Sequence, residues 1–213
     1  MSAQLPSGGI EVLPGDLDAL ESRWADCWKP GDVARRLAGT SVPWYVAAGW
    51  ALDLFRGEQT RAHHDIEIGV PAGRFPEIRD RFPEFAFDAI GTGRIWQSPT
   101  AQVLDATWQT WLREPSTGRY LLDVFRERHD GEVWICRRDE TIRLPYGEII
   151  RHTGDQIPYL SPELVLLFKA KHVRPKDQDD FDGVFPLLTR PQRERLFALL
   201  TQVHPGHAWL AAW

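Results

Sequence analysis

The sequence predicts an α+β fold in which a mixed β-sheet core with flanking helices is followed by a C-terminal helical segment. Short apolar or alternating runs bounded by glycine and proline fill residues 44–135, the pattern of strands joined by turns. After Tyr159 the pattern changes to helix starts, because Ser161-Pro162-Glu163 combines an N-cap, a first-turn proline and an acidic residue. We therefore divide the chain into an N-terminal helical extension (1–40), an αβ core (41–158) and a C-terminal helical segment (159–213).

The N-terminal extension carries apolar residues at helical spacing. This spacing predicts one helix over residues 15–29, whose shared face would hold Leu17, Leu20, Trp24 and Trp28. Asp32 is the expected N-cap of a second short helix through Leu37. The extension should therefore pack on the core through its apolar face.

The core alternates strands with short helices. The apolar runs and alternations predict strands at 44–47, 66–70, 94–97, 106–108, 120–125 and 132–135. One helix is expected at 50–55, ended by Gly57, and another at 75–82. Asp130-Gly131 predicts the turn of a hairpin that leads into the last of these strands. In the C-terminal segment we expect helices from Ser161 to about 172, from about 176 to 188, and from Pro191 onward.

Composition narrows the functional classes. The 213 residues carry a net charge of −5, and such an acidic balance argues against a nucleic-acid partner, which usually requires a basic excess. The two cysteines, Cys27 and Cys136, lie far apart, which argues against a disulfide framework or a structural zinc site. No apolar run approaches the roughly 20 residues of a transmembrane helix. We expect a cytoplasmic protein without a membrane partner.

Three acidic residues on predicted strands are the candidates for chemistry. Asp65 and Glu67 would point to the same face of one strand, about 6.5 to 7 Å apart along the chain. Two carboxylates at that distance repel each other, and a divalent cation such as Mg²⁺ between them removes the repulsion. Asp123 lies in the apolar run Leu121–Phe125, where a charge is costly without a partner. Taken alone, the Asp-x-Glu pair also fits the solvated face of an amphipathic strand.

Gly49 supplies the context that favours a metal and phosphate site. It lies at the exit of a predicted buried strand and just before a helix, where backbone N–H groups can bind a phosphate. Fifteen residues separate Gly49 from Asp65, and Asp123 follows on a later strand. This combination occurs rarely by chance.

At these residues the sequence resembles the polymerase-β-type nucleotidyltransferase superfamily. Its pattern is a glycine turn, then an acidic pair on a strand, then a further acid on a later strand. AAGWALDLFRGEQTRAHHDIEIGV (47–70) looks like the aminoglycoside 2″-adenylyltransferase family, and PYLSPELVLLFKAKHVRPKDQDDF (158–181) is similar to that family's helical portion. The resemblance implies a nucleotidyltransferase core with a mixed β-sheet.

The resemblance also implies site roles. The residues expected to bind metal and carry catalysis are Asp65, Glu67 and Asp123, with Asp123 as a metal ligand or as the base for the acceptor hydroxyl. The residues expected to bind the nucleotide are Ala48, Gly49, Arg61, Lys169 and Lys171. Two departures stand out, since the family's Gly-Gly pair is Ala48-Gly49 here, and the second acid of the pair is Glu67 rather than Asp.

The expected function is transfer of a nucleoside monophosphate, AMP above all, from NTP to a hydroxyl of a small molecule such as an aminoglycoside. Mg²⁺ is the expected cofactor and ATP or another NTP the co-substrate, in a monomer or homodimer. One alternative keeps the fold and transfers the nucleotide to a protein or tRNA, as in toxin–antitoxin systems. A second alternative, which the departures at Ala48 and Glu67 motivate, is a non-catalytic binding protein of the same fold.

Overall fold

The computed structural model describes residues 6–212, which form one large mixed β-sheet, a small second sheet and surrounding helices. The strands are β1 (Ile10–Glu11), β2 (Tyr45–Val46), β3 (Glu67–Pro71), β4 (Ala86–Gly91), β5 (Arg94–Trp96), β6 (Gln109–Arg113), β7 (Tyr120–Glu127), β8 (His129–Asp130), β9 (Val133–Ile135), β10 (Arg143–Pro145), β11 (Ile150–His152) and β12 (Pro158–Leu160). The large sheet has the order β1-β5-β4-β6-β7-β3-β2-β12-β11, and β10-β9-β8 form the small one. This mixed sheet confirms the predicted α+β class.

The helices cover the large sheet and build the C-terminal part. They are α1 (Leu17–Ser22), α2 (Pro30–Arg36), α3 (Ala48–Arg56), α4 (Phe75–Arg79), α5 (Ala101–Ala106), α6 (Tyr146–Ile149), α7 (Pro162–Lys169), α8 (Pro175–Val184) and α9 (Arg190–Val203). α7 is the most deeply buried of the C-terminal helices, because its residues from Pro162 to Leu167 are all buried. No helix within residues 6–212 is both long enough and apolar enough to cross a membrane.

The centre of the large sheet places the candidate site. β3 and β7 run parallel to each other, and β2 pairs antiparallel with the other edge of β3. Ile66, Ile68 and Val70 from the β3 segment are fully buried, and with Val124 of β7 they belong to the main hydrophobic core. The polar residues at the start of β3 are therefore fixed to a rigid support.

The predicted helix over 15–29 is wrong beyond Ser22, where α1 ends. Two backbone hydrogen bonds then join the chain to β7, from Tyr120 N–H to the Arg23 carbonyl (2.8 Å) and from Trp28 N–H to the Leu121 carbonyl (3.0 Å). Trp24 and Trp28 are buried, Trp24 from a hydrogen-bonded turn over residues 23–26 and Trp28 from the connection that follows it, rather than from one helical face. Tertiary pairing has overridden the local helical spacing.

Three further predictions need correction. The strand predicted at 106–108 is wrong, because Thr100 caps α5 through Val103 N–H (3.4 Å) and the strand starts at Gln109. Asp32 is not an N-cap but the third residue of α2, where its carboxylate accepts the N–H of the capping Lys29 (3.0 Å). The first C-terminal helix ends at Lys169, and the second spans Pro175–Val184.

Candidate active site

The parallel strands β3 and β7 bring two of the predicted acids together. Glu67 is the first residue of β3, and its Cα partner in the sheet register is Asp123 of β7. The Asp123 N–H donates to the Ile66 carbonyl (2.9 Å), which continues the ladder just before β3. Asp65 lies two residues before the strand rather than on it, and the Trp50 indole N–H donates to its carbonyl (3.1 Å). The loop, not the strand, therefore orients Asp65.

Asp123 is a buried carboxylate whose two oxygens differ in their hydrogen bonding. Its Oδ2 accepts a hydrogen bond from Gln109 Nε2 (2.5 Å), while Oδ1 is buried without a hydrogen-bond partner among the described residues. Burial raises the pKa of Asp123 well above its ordinary value, and the charge of Glu67 raises it further. The Trp111 indole lies close enough to lower the pKa of Asp123, although it makes no hydrogen bond of normal geometry to Oδ1. A buried carboxylate crowded by other acids fits a proton or a cation.

The carboxylate of Glu67 is likewise buried close to other acidic side chains. Burial raises the pKa of Glu67 to about 8, with a second contribution from the charge of Asp65, against the lowering effects of Lys169 and Arg137. Within residues 6–212 no three metal-binding side chains already converge on one point. The carboxylates nevertheless fit a divalent cation, because Mg²⁺ needs only one or two of them and takes its other ligands from water and phosphates.

The turn between β2 and α3 contains one of the two departures from the family pattern, Ala48 in place of glycine. Ala48 has a φ of +48°, in the left-handed region that favours glycine, and the family has glycine at this position. The Ala47 N–H donates to the Glu67 carbonyl (2.8 Å), which ties the turn to β3 beside the acids. The backbone at Ala48 thus adopts the conformation that the family's glycine allows.

Gly49 is needed for a reason that the sequence did not reveal. A Cβ at this position would collide with the Arg61 guanidinium and would lie 2.7 Å from Cε1 of His63. The predicted reason was a close phosphate approach, whereas the structure places two side chains against the glycine. Gly49 therefore lets the loop that carries Asp65 fold down onto the start of α3.

A buried hydrogen-bond network holds this loop. The Asp53 carboxylate accepts from the Thr60 hydroxyl (2.6 Å) and lies 2.6 Å from Nε2 of His63. The His63 ring stacks on Trp50, with ring centroids 4.3 Å apart. Burial lowers the pKa of His63, and the hydrogen bond to Asp53 opposes this effect. These contacts make Asp53 and His63 positioning residues for the loop before β3.

The predicted nucleotide-binding cations lie in two different settings. Lys169 is nearly buried and binds carboxylates of α8, with Nζ 2.7 Å from Asp177 Oδ1 and 2.8 Å from Asp180 Oδ2. Nη2 of Arg61 lies 3.5 Å from Oδ2 of the same Asp180 carboxylate. Lys171 is exposed, two residues after α7. All three stay predicted nucleotide-binding residues, and Lys169 is the one that faces Glu67.

Two cavities meet at Ala48, Glu67, Lys169 and Arg174, which line both of them. We call the first the arginine cavity; it measures about 390 Å³ and is lined mainly by Tyr45, Phe125, Glu127, Arg137, Arg138, Phe168, Lys171 and His172. We call the second the tryptophan cavity; it measures about 470 Å³ and is lined mainly by Leu17, Leu20, Glu21, Trp24, Gly49, Arg61, His63, His64, Asp65, Trp111 and Lys176. Glu67 therefore lies where the two cavities adjoin.

Arg137 and Arg138 were missed by the sequence predictions. The Arg137 guanidinium carbon lies 4.3 to 4.7 Å from the ring centroids of Trp108, Phe125 and Phe168. Its Nε and Nη1 are buried without hydrogen-bond partners among the described residues, and Oε1 of Glu127 is 3.9 Å from Nη1. The adjacent arginines were visible in the sequence, but paired basic residues in a connection are usually solvated.

Comparisons with known proteins agree with this fold. The family model for aminoglycoside-2″-adenylyltransferase matches residues 31–105. The solution structure of the antibiotic-resistance factor ANT(2″)-Ia is similar with a TM-score of 0.52 at 16% identity, and the match covers 89% of this chain and 94% of that one. This similarity shows a shared fold. None of the curated sequences compared with this chain matches it.

Two further solved structures match with lower TM-scores. The lincomycin-bound lincosamide antibiotic adenylyltransferase LnuA has a TM-score of 0.49 at 17% identity, covering 84% of this chain and 100% of that one. ANT(2″)-Ia in complex with adenylyl-2″-tobramycin has a TM-score of 0.44 at 15% identity, covering 81% and 85%.

The mixed sheet, the turn before α3 and the paired acids define a protein of the nucleotidyltransferase superfamily, which confirms the resemblance seen in the sequence. Within that superfamily, residues 31–105 are similar to the aminoglycoside-2″-adenylyltransferase family. The roles of the individual site residues stay predictions.

Proposed function

We propose that this protein transfers a nucleoside monophosphate, AMP, from ATP to a hydroxyl of a small antibiotic-like acceptor such as an aminoglycoside. The observation that carries the proposal is the pairing of the buried Asp123 with Glu67 across β7 and β3, because Glu67 lines both cavities. The descriptions of the matching family model and of the similar antibiotic-resistance factor support an antibiotic as the acceptor. The acceptor oxygen forms a bond to the α-phosphorus, and the bond to the departing pyrophosphate breaks.

The proton of the acceptor hydroxyl needs a base. Asp123 is suited to this role, because burial and the nearby Glu67 charge raise the pKa of its carboxyl group. With Asp123 as the base, Asp65 and Glu67 would hold Mg²⁺, which needs only one or two carboxylates. When bound, the cation would supply charge neutralisation and alignment at the α-phosphate. Protein positioning and electrostatics then account for most of the catalysis.

The arginine cavity suits the nucleotide. It is lined by the basic Arg137, Arg138 and Lys171 and by the aromatic rings of Phe125 and Phe168, and Arg137 Nη1 lies 3.9 Å from Glu127 Oε1. Cations of this kind stabilise a polyphosphate, and aromatic rings provide surfaces for a purine base. The predicted nucleotide-binding residues Gly49 and Arg61 line the tryptophan cavity, whereas Lys169 lines both cavities. We therefore place the triphosphate at the junction of the two cavities, with the base against the aromatic rings of the arginine cavity.

Incubation with labelled ATP, CTP, GTP and UTP in the presence of Mg²⁺ tests the proposal. Tobramycin, lincomycin and total RNA serve as acceptors in separate reactions. We expect labelled product from ATP with a small-molecule acceptor, and loss of that product with Asp65→Asn although the variant stays folded. Labelling of RNA would instead support the nucleic-acid alternative, and turnover by folded Asp65→Asn would refute the assignment of the acid.

A direct titration separates the enzyme from a non-catalytic relative. Wild-type protein is titrated with Mg-ATP in a calorimeter without acceptor. Binding without transfer to any acceptor would favour a binding protein, and absence of binding at millimolar ATP would refute the nucleotide site itself.

A further inference from the structure

One face of β7 carries three side chains that lead away from the proposed reaction centre. Asp123, Phe125 and Glu127 alternate along this strand, so they share a face and follow one another at about 6.5 to 7 Å. Phe125 and Glu127 line the arginine cavity, together with Glu67 at the start of β3. The strand therefore runs from the proposed base, past an aromatic ring, to a second acidic side chain at its end.

The neighbouring strands hold the same wall of the cavity in place. Tyr45 of β2 lines the arginine cavity and pairs with Gly69 of β3 in the sheet register. A Cβ at Gly69 would collide with the Tyr45 ring, so only glycine lets this ring pack directly over the β3 backbone. Tyr45 is almost completely buried, which gives the polar groups beside it a rigid support.

Glu127 is a buried acid whose pairing is incomplete. The residue is 5% exposed, and its one ion pair among residues 6–212 joins Oε1 to Nη1 of Arg137 at 3.9 Å. A charge-assisted hydrogen bond would bring such atoms to about 2.7 to 2.9 Å. The Trp134 indole lies close enough to lower the pKa of Glu127, but its Nε1 makes no hydrogen bond of normal geometry to a described residue. Glu127 thus has hydrogen-bonding capacity left for a ligand in the cavity.

The chemistry of the two charged groups indicates which ligand they suit. An ionised carboxylate only accepts hydrogen bonds, whereas a guanidinium only donates them. A nucleotide base that packs on Phe125 and Phe168 could offer both partners at one edge, an exocyclic amino group for Glu127 and a ring nitrogen for Arg137. A base without the amino group would leave the buried carboxylate unpaired, which is costly.

We propose that Glu127 recognises the nucleotide base by accepting a hydrogen bond from its exocyclic amino group. The inference rests on the proposed function and adds the residue that selects the nucleotide. Adenine carries such an amino group, so this contact favours ATP. With the base at Glu127 and the phosphates near Glu67, the nucleotide lies along β7 with its phosphates toward Asp123.

The test measures nucleotide binding rather than transfer. Wild type, Glu127→Gln and Glu127→Met are titrated in a calorimeter with Mg-ATP and with the magnesium complex of purine riboside 5′-triphosphate, in which hydrogen replaces the amino group. We expect wild type to bind ATP about tenfold more tightly, the gain from one charge-assisted hydrogen bond. This ratio should fall to about threefold in Glu127→Gln, which keeps a neutral acceptor, and to about one in Glu127→Met, which has none.

The ratio of the two affinities separates base recognition from a structural role, because a purely structural carboxylate would change both affinities equally. Glu132→Gln is the matched control, since it removes an exposed carboxylate outside this cavity and should keep the wild-type ratio. Equal binding of both nucleotides by wild type, or a wild-type ratio in Glu127→Met, would overturn the inference and leave the proposed function intact. Absence of binding by either nucleotide would overturn both. Circular dichroism checks that the variants fold, and the wild-type comparison needs no variant.

Discussion

Two buried aspartates of the large sheet differ in what surrounds their carboxylates. Asp88 of β4 accepts hydrogen bonds from Arg113 Nε (2.7 Å) and from the Tyr120 hydroxyl (3.1 Å). Asp123 has one partner on Oδ2 and none on Oδ1 among the described residues. The first arrangement is the usual one for a structural acid, and the second leaves binding capacity unused.

This contrast predicts opposite effects for the same chemical change. Asp123→Asn should lower nucleotide transfer about 100-fold or more, because it removes the base. It should leave the free energy of unfolding unchanged or higher, since it removes a crowded buried charge. Asp88→Asn should instead lower the free energy of unfolding by about 3 to 5 kcal/mol, because the Arg113 charge loses its partner. Urea denaturation and initial rates measure both, and a fully active Asp123→Asn would contradict the assignment.

Ala48 allows a prediction about backbone strain. Ala48→Gly should raise the free energy of unfolding by about 1 kcal/mol, because a left-handed backbone costs an alanine but not a glycine. Ala47→Gly is the matched control, with extended backbone (φ −114°), and should lower stability by about 0.5 to 1 kcal/mol. Urea denaturation distinguishes the two. A loss of stability in Ala48→Gly would show that the left-handed conformation is not strained here.

At the level of residues, the sequence predicted which side chains to examine better than it predicted their surroundings. Glu67 and Asp123 lie opposite each other because β3 and β7 pair in parallel. Both strands could be predicted from the sequence, but their pairing could not. The role of Gly49 could not be predicted, since it depends on Arg61 and His63 folding back over the turn. Arg137 was missed because its aromatic neighbours lie on separate elements.

Among the elements, α7 and α8 are joined by a buried ion cluster that also positions Lys169. Asp177, at the start of α8, accepts hydrogen bonds from Lys169 Nζ (2.7 Å) and Arg174 Nε (2.7 Å). Burial alone would raise the pKa of Asp177, but these hydrogen bonds outweigh it and hold that pKa well below the ordinary value. The cluster stabilises the protein only while Asp177 is ionised.

The sign of the resulting pH dependence follows directly. A carboxyl group with a lower pKa in the folded state contributes stability that is present above its unfolded pKa of about 3.9 and is lost as pH falls below it. Asp177→Asn should therefore be less stable than wild type at pH 7, and the difference should shrink toward pH 3. Asp179→Asn, an exposed change on the same helix, should show no such trend. Urea denaturation from pH 7 to 3 measures both, and a constant difference for Asp177→Asn would contradict the cluster's role.

Elements were predicted well where the local pattern and the tertiary contacts agree. α3 and β7 are examples, since each is bounded by its own turn residues and buried on the expected faces. The helix over 15–29 failed because the backbone of residues 23–28 pairs with β7, which is about a hundred residues away in the chain. The division into three parts stays a prediction, because the packing here does not establish separate units.

For the whole molecule, the arginine cavity predicts an effect on one substrate alone. Arg137→Gln should raise the KM for ATP about tenfold or more through loss of a charged hydrogen bond, with the acceptor KM unchanged. Arg128→Gln is the matched control, because Arg128 is exposed and pairs with Glu140 on the surface. Steady-state kinetics with each substrate varied in turn measures both constants. A rise in the acceptor KM alone would contradict the placement of the base in the arginine cavity.

The fold class and superfamily could be predicted from the sequence because the motifs lie close together, between Ala48 and Glu67. The cavities could not, since the arginine cavity collects residues from Tyr45 to Asp177, and the tryptophan cavity needs an extension that does not follow its predicted helix. Long-range packing determines both.

None of the α1 side chains is buried. Mutations at Leu17, Leu20 or Glu21 therefore put little of the folding stability at risk, whereas mutations beside Asp123 disturb the centre of the sheet. A library randomised at these three positions should consequently retain a high proportion of folded clones, so that this edge of the protein can change in sequence while the centre of the sheet stays constant.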